Sequence, residues 1–213
     1  MTMRVVVDNG PGKGRRSLSA KRPRRAAPAT TLRAAVAADA PAMHALIAAH
    51  LDEGRLLPRT LAELTDHAHR FVVALQGDRS AARGDNSVAR GEQIVGCAEL
   101  APLSATVAEV RSLVVSHHAR QSGLGQRMVD ALGQRARREG FARLSAFAHD
   151  PRFFVRLGFS IVPHTWVPEK IAHDCHSCPL FRNCGQYAIV LDLARAHAQS
   201  RLGARPSAGT GRG

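Results

Sequence analysis

The chain has 213 residues, with 30 Lys and Arg against 17 Asp and Glu, so its formal net charge at pH 7 is +13. This length suits one domain of ordinary size and excludes both a disulfide-stabilised miniprotein and a large multidomain enzyme. The excess charge suggests a polyanionic partner when taken alone, but residues 1–30 carry a net +7 and residues 195–213 a net +4. The middle of the chain, 31–194, carries only +2, so its charge does not require such a partner.

Both ends are rich in Gly, Pro, Ser and Arg and poor in apolar residues, which predicts disordered basic tails. A signal or transit peptide is not expected, because no apolar segment follows Val7 and 11–25 has no amphipathic period. No apolar run reaches the length of a membrane span. We therefore expect a cytoplasmic protein without a membrane partner. Nucleic-acid binding through the tails is a rival hypothesis that we do not favour.

The middle of the chain begins with a short strand-like stretch and then becomes helical. Asp39 as N-cap, followed by Pro41, predicts the first helix. Thr60 and Glu63 form a T-x-x-E capping box, which predicts the second. RFVVALQ and QIVGCAEL are strand-like, and the polar stretch 77–92 between them predicts a loop that joins two antiparallel strands.

The second half contains further strands and helices. The pattern predicts a strand over 107–115, a long amphipathic helix over 124–139, and a short helix that ends at Gly158. RLSAFAH, FSIV and YAIVLDL are typical of strands. Because strands and helices alternate only in part, we expect an α/β fold in one domain over 31–194, with a central, mixed, mostly antiparallel twisted sheet flanked by helices.

One loop has the composition of an anion-binding site. The strand 107–115 runs into Arg-Gln-Ser-Gly-Leu-Gly at 120–125, and this segment opens the long helix. Glycines let the backbone approach an anion, and the free amides and dipole of a helix N-terminus attract it. The loop departs from the dinucleotide fingerprint, since Met128 stands where its third glycine should be, and from the Walker loop. It predicts a pyrophosphate site.

R-x-x-G-x-G follows an apolar strand and precedes a long helix, and F-F-V-R-L-G-F comes later in the chain. This order of features resembles the GCN5-related N-acetyltransferase (GNAT) family. The resemblance covers nearly all of 31–194. It implies acetyl-CoA as co-substrate, with backbone contacts to pantetheine from the strand and to pyrophosphate from the loop. The residues it assigns to acetyl-CoA are Leu113, Val114, Val115, Gln121, Ser122, Gly123, Leu124, Gly125 and Gln126.

Acetyl transfer to an amine needs a neutral nucleophile and an acceptor for its proton. The resemblance implies that Glu109, near the start of the strand before the loop, is this base, acting directly or through water. The alternative is a solvated glutamate at a strand start. A tyrosine that protonates the thiolate is common in the family, but the only tyrosine here is Tyr187 in the last strand; His149 is a speculative substitute.

Within the family, E-G-R-L-L-P-R-T, A-E-V-R-S-L-V-V and V-P-E-K resemble the acetyltransferase domain of bacterial N-acetylglutamate synthases, which acetylate the α-amine of L-glutamate in the first step of arginine biosynthesis. Carboxylates removed from water need paired cations, and Arg provides two parallel hydrogen bonds. The resemblance assigns glutamate binding first to Arg59, and then to Arg111, Ser112, Lys170 and Arg182. Another small amine or a protein amine is the alternative acceptor.

Two features depart from the synthase pattern. Many such synthases carry an amino-acid-kinase-like domain ahead of the acetyltransferase, so a short, stand-alone form is expected here, and arginine feedback is not inferred. Cys175, Cys178 and Cys184 with His173 have the composition of a structural zinc site, but we favour free thiols and no metal. The expected partners are small molecules, and the sequence leaves a homodimer open.

Overall fold

The computed structural model describes residues 30–53, 56–77, 92–176, 178 and 180–194. The two expected basic tails lie almost wholly outside these ranges, as does most of the loop predicted between the second and third strands. Within the described part, no helix has both the length and the apolar character needed to cross a membrane.

Seven strands form one sheet in the order β1-β2-β3-β4-β5-β7-β6. They are β1 Thr30–Ala34, β2 Phe71–Gln76, β3 Gln93–Pro102, β4 Val107–Val115, β5 Arg143–Ala148, β6 Ser160–Val162 and β7 Tyr187–Asp192. Neighbouring strands are antiparallel except for β4 and β5, which are parallel. The prediction of a mixed, mostly antiparallel sheet flanked by helices is confirmed.

The helices are α1 Ala40–Ala48, α2 Leu61–Asp66, α3 Leu124–Arg138, α4 Arg152–Arg156 and α5 Pro168–Lys170, which continues as a π-helical turn, Ile171–Cys175. The predicted capping box of α2 is confirmed. The Glu63 amide donates to Thr60 Oγ1 over 3.2 Å, and the Thr60 amide donates to Glu63 Oε2 over 2.8 Å. These bonds satisfy two amides that the first turn would otherwise leave unpaired.

Asp39 precedes α1 as predicted, but its carboxylate does not bond to the amides of that helix. It accepts instead from the Val36 amide over 2.8 Å and from the Arg33 guanidinium over 2.6 Å and 2.8 Å. The carboxylate therefore caps the short 3-10 turn that leads into α1 and ties that turn to β1.

The sheet separates two apolar clusters. On one face, α3 packs on alternate residues of the central strands, with Met128, Leu132 and Leu144 at most 1% exposed. On the other face, α1 and α2 cover Phe71 and Val114 among others. The sheet is therefore buried centrally on both faces, and a polar side chain in a central strand needs a buried partner.

The parallel pair β4 and β5 is hydrogen-bonded for only part of its length. Val107–Val110 pair with Arg143–Ala146; beyond this, β4 continues to Val115 without a partner in β5, and β5 continues against β7. The two strands therefore separate towards their carboxyl ends, the edge at which ligands commonly bind in sheets with parallel strands.

A β-bulge lies in the half of β4 that has no partner in β5, and it changes the direction of the side chains there. Opposite β3, the register shifts between Cys97 and Glu99, and Ser112 has a positive φ of 49°. As a result, Val110 and Leu113 both pack towards α3, while Val114 packs with the α1 cluster. Bulges of this kind are often found beside functional sites because they redirect side chains and interrupt pairing.

Candidate active site

The loop between β4 and α3 has an unusual backbone, and no side chain of the N-cap residue caps the helix start. Gln121 and Gly123 have positive φ values of 60° and 79°, and Gly123 is the N-cap of the 15-residue α3. The first amides of such a helix have no partner within it. Ser122 Oγ donates to the Ala119 carbonyl over 2.6 Å, and Arg120 Nε donates to the Val115 carbonyl over 2.9 Å. These bonds hold the loop against the end of β4 with its amides available to an anion.

The predicted acetyl-CoA residues lie on one continuous path from the half of β4 that has no partner in β5, through this loop, into α3. Val114 and Leu124 are only 4% and 2% exposed, so they can offer a ligand little besides backbone groups. A Cβ atom on Gly125 would lie 3.4 Å from the Phe153 ring and 4.0 Å from a Val115 methyl group. The geometry fits a group that is held by main-chain amides.

Replacing Gly123 by Ala tests this loop. Nothing lies within 4 Å of the added Cβ, so the expected stability cost is about 1–2 kcal/mol from the left-handed backbone alone. The methyl group would enter the space beside the loop amides. A loss of about 1.4 kcal/mol of binding would raise the KM for acetyl-CoA roughly tenfold.

Gly140→Ala is a matched control for this prediction. Gly140 follows the other end of α3, has a φ of 87°, and also has nothing within 4 Å of an added Cβ. We expect a similar loss of thermal stability with an unchanged KM for acetyl-CoA. An equal rise in KM for both variants would contradict a direct role of the Gly123 loop.

On the α1–α2 side of the sheet, β4 and the α5 segment form a cluster of ion pairs around Glu109. The Glu109 side chain is 4% exposed and accepts from Arg111 Nε over 2.6 Å and from Lys170 Nζ over 2.8 Å. Asp174 pairs with the same two cations, over 2.8 Å from Lys170 and also with the Arg111 guanidinium. Two cations thus lie between a buried carboxylate and a more exposed one.

The pKa shifts in this cluster follow from its pairing. Burial opposes the charge of Asp174, but the hydrogen bond from Lys170 and the charges of Lys170 and Arg111 hold the pKa of Asp174 below its ordinary value. Burial likewise opposes the charge of Arg111, and the carboxylates of Glu109 and Asp174 outweigh it and raise the pKa of Arg111. Both groups are therefore charged at neutral pH.

Arg59 extends this cluster across the sheet. Its NH2 group donates to Glu99 Oε2 over 3.0 Å, and the two side chains are 15% and 2% exposed. Glu99 on β3 is the register partner of Arg111 on β4, and His67 Nδ1 lies 4.0 Å from the other Glu99 oxygen. Arg59 Nε is buried and has no hydrogen-bond partner within the described residues. Arg111 and Lys170 thus share Glu109 and Asp174, and Arg59 pairs with Glu99 on the neighbouring strand.

Ser112, Arg182 and the cysteine segment are the other parts of the chain considered for substrate or metal binding. Ser112 lies in the bulge, and its carbonyl is 3.9 Å from the Cys97 thiol. Arg182 lies in a short turn, but its side chain is outside the described part of the structure. The side chains of Cys175, Cys178, Cys184 and His173 do not form a described group of three or more metal-ligand atoms within 4.8 Å of one another. The weak zinc alternative gains no support.

Three residues beside the cluster were not predicted to have a role. Glu99 is 1% exposed. Its position within the apolar strand QIVGCAEL could have predicted that its carboxylate is buried and needs a hydrogen-bond partner. Asp174 and Phe147 carried no such signal. The Phe147 ring centroid lies 5.1 Å from Lys170 Nζ, so this ring covers the cation from one side.

Cys97 lies near the site in the same strand as Glu99. Its thiol is fully buried, and burial raises its pKa to about 12. The thiol therefore stays protonated at neutral pH and is a poor nucleophile. Tyr187 is exposed on β7, where it is the register partner of Ala148 at the end of β5. Its role as an acid, and that of exposed His149, stay hypotheses.

Comparison with known proteins adds to this geometry. Residues 67–161 match the family model of the acetyltransferase (GNAT) domain. An uncharacterised N-acetyltransferase of Chlorobaculum tepidum is 29% identical over 164 residues, which are 77% of this chain and 97% of that protein.

Solved structures share the fold. N-acetylglutamate synthase of Neisseria gonorrhoeae, solved with coenzyme A and N-acetyl-glutamate, has a TM-score of 0.63 and 25% identity. The match covers 77% of this chain but only 35% of the Neisseria chain. A Mycobacterium tuberculosis protein, solved with coenzyme A and a second ligand, has a TM-score of 0.59 and 22% identity over 76% of this chain and 98% of that chain.

The family match covers both the loop of 120–125 and the separating strands β4 and β5. The sheet order, the bulge in β4 and the left-handed backbone of the loop are all consistent with it. Residues 67–161 are therefore similar to the GNAT acetyltransferase domain, and the described sheet and helices are consistent with the GNAT α/β fold.

Proposed function

We propose that this protein transfers the acetyl group of acetyl-CoA to the α-amine of L-glutamate and so acts as an N-acetylglutamate synthase. The observation that carries the proposal is the pairing of Arg111 and Lys170 with the buried Glu109, next to the point where β4 and β5 separate, with Arg59 held by Glu99 on the neighbouring strand β3. The proposed catalytic domain is 31–194.

Acetyl-CoA supplies an acetyl group activated as a thioester. The amides at 121–126 would hold its pyrophosphate, because they lie at the start of a long helix and the left-handed backbone at Gly123 turns them outward. The backbone of β4 from Leu113 to Val115, which has no partner in β5, would bind the pantetheine arm. Such a path would place the thioester towards Arg111 and Glu109, further back along β4.

A substrate with two carboxylates fits the charges of this cluster. The unpaired Nε of Arg59 is a donor for one carboxylate. Lys170 and Arg111 would receive the other in exchange for Asp174, whose side chain is 38% exposed, against 4% for Glu109 and 2% for Glu99. Asp174 is thus the carboxylate that can leave at the lowest desolvation cost.

Glu109 is the base in this proposal. It lies in the last stretch of β4 that pairs with β5, so a proton from the amine can reach its carboxylate directly or through one water. The buried, protonated Cys97 thiol gives no support to an acyl-cysteine route. Direct attack of the amine on the thioester is therefore the proposed route.

The proposal is tested by release of free CoA thiol from acetyl-CoA with L-glutamate, L-glutamine, L-aspartate, L-lysine and a short peptide as acceptors. We expect glutamate to have the highest kcat/KM. Glutamine should fall at least roughly tenfold below it, since a hydrogen bond to a charged group contributes about 1.5–3 kcal/mol. Product mass would confirm acetylation at the α-amine.

Two results would change the proposed acceptor. Equal kcat/KM values for glutamate and glutamine would remove the role given to the arginines. A preference for lysine or the peptide would favour the other acceptor class, a protein amine or another small amine. Neither result would affect the similarity of residues 67–161 to the GNAT acetyltransferase domain.

A further inference from the structure

A second cluster of ligand-type side chains lies away from Glu109, beyond the end of α1. The ligand atoms of His50, Glu53 and His117 all lie within 4.8 Å of one another. The two imidazole rings are stacked with centroids 4.8 Å apart. The acetyl-transfer mechanism uses none of the three residues.

The environment of His50 fixes which ring nitrogen can bind a ligand. Its Nδ1 lies 2.8 Å from the Leu46 carbonyl, which can only accept, so Nδ1 carries the hydrogen. Nε2 then has the free lone pair. The side chain is 5% exposed, and Nε2 is buried without a hydrogen-bond partner in the described part of the chain. A backbone carbonyl behind a histidine is the usual second contact of a metal-binding imidazole.

The distances are close to those of a metal site. Glu53 Oε1 lies 3.6 Å from His117 Nε2 and 4.0 Å from His50 Nε2. Two ligand atoms in a tetrahedral zinc site are about 3.3 Å apart, given metal–ligand distances of about 2.0–2.1 Å. His117 and Glu53 have side chains that are 70% and 30% exposed, so the His117 ring can turn out of its stack on His50, and Glu53 can close the gaps of about 0.3 Å and 0.7 Å to the two imidazoles.

An open groove of about 890 Å³ reaches the cluster. His50, Ser116 and His117 line it together with residues of α1 and β3. An ion can therefore enter from solvent, and a fourth ligand position can be taken by water.

From this geometry we propose that His50, Glu53 and His117 bind a divalent transition-metal ion of the zinc type, with an open fourth position. Two imidazoles and one carboxylate favour Zn²⁺ over Mg²⁺ or Ca²⁺, which select oxygen ligands. The site adjoins the acetyl-CoA loop, because Arg120 at the head of that loop donates to the same Glu53 Oε1 over 2.6 Å. Metal and guanidinium compete for this oxygen.

The test is isothermal titration of the full chain, freed of metal with a chelator, with ZnCl2. We expect the unmodified chain to bind Zn²⁺, and His117→Ala to bind it at least roughly tenfold more weakly. Removing a residue that only contacts a metal ligand typically lowers metal affinity by about 10–100-fold, so removing a ligand should cost at least as much. His117 is exposed, so this variant should fold normally. His118→Ala is the matched control; His118 is the exposed neighbour that contacts Gln76 and Ser116, and binding should be unchanged.

Two further measurements separate this site from the cysteines. Glu53→Gln should also weaken the binding event, because it removes the anionic ligand. Co²⁺ in place of Zn²⁺ should give a spectrum without a thiolate-to-metal charge-transfer band. Absence of binding in the unmodified chain, or binding that persists in both His117→Ala and Glu53→Gln, would overturn the proposal.

Discussion

Replacing Glu109 by Gln is expected to lower kcat for acetyl transfer to glutamate by roughly 10²–10⁴-fold, the range associated with loss of a general base. The amide keeps the size of the side chain but cannot accept a proton from the amine. Part of the rate should return at high pH, because a larger fraction of the substrate amine is then already neutral. The KM for acetyl-CoA should change little, since its proposed contacts are backbone groups elsewhere on β4 and in the loop.

The measurement is a pH profile of kcat and kcat/KM, with thermal unfolding as a check on the fold. Lys170 and Arg111 lose a buried counter-charge in this variant, although Asp174 still pairs with both. Glu169→Gln is the control, because Glu169 is a half-buried glutamate next to Lys170 that lies 3.6 Å from Arg143. A folded Glu109→Gln variant with kcat near that of the unmodified protein would exclude Glu109 as the base.

Replacing Arg59 by Gln is expected to destabilise the protein by about 3 kcal/mol, because it leaves the Glu99 carboxylate buried without its partner. We expect the lower end of the usual 3–5 kcal/mol range, since His67 lies 4.0 Å from Glu99 and Arg111 is its register neighbour. Adding Glu99→Gln should restore most of the stability, since no unpaired charge remains buried and the two amides can hydrogen-bond.

The double variant separates folding from substrate binding. It should be stable yet have a KM for glutamate raised roughly 10–100-fold, because a charged hydrogen bond to the substrate is lost. The pair Arg33→Gln with Asp39→Asn is the control: it removes a part-buried ion pair of 2.6 Å between β1 and the turn before α1. It should leave the KM for glutamate unchanged. A normal glutamate KM in a stable Arg59/Glu99 double variant would remove Arg59 from the substrate site.

Much of the fold could be predicted because its signals are local. The capping box at Thr60 and Glu63 depends on residues three positions apart, and the helix of α3 follows from a regular apolar stripe. The loop at 120–125 was identifiable for the same reason, since strand, glycines and helix are consecutive in the chain. Sequence alone therefore determined the strands, the main helices, the position of the glycine loop proposed to bind an anion, and the resemblance to the acetyltransferase family.

Only the tertiary structure decided how the charged residues pair. Arg59 reaches Glu99 across 40 residues, and Lys170 reaches Glu109 across 61. His117 meets His50 and Glu53 only because β4 returns beside the end of α1. No local sequence pattern predicts these contacts, because the same charged residue can be either exposed to solvent or buried in an ion pair. Burial is what forces each carboxylate to take a cation, and burial is set by the packed sheet.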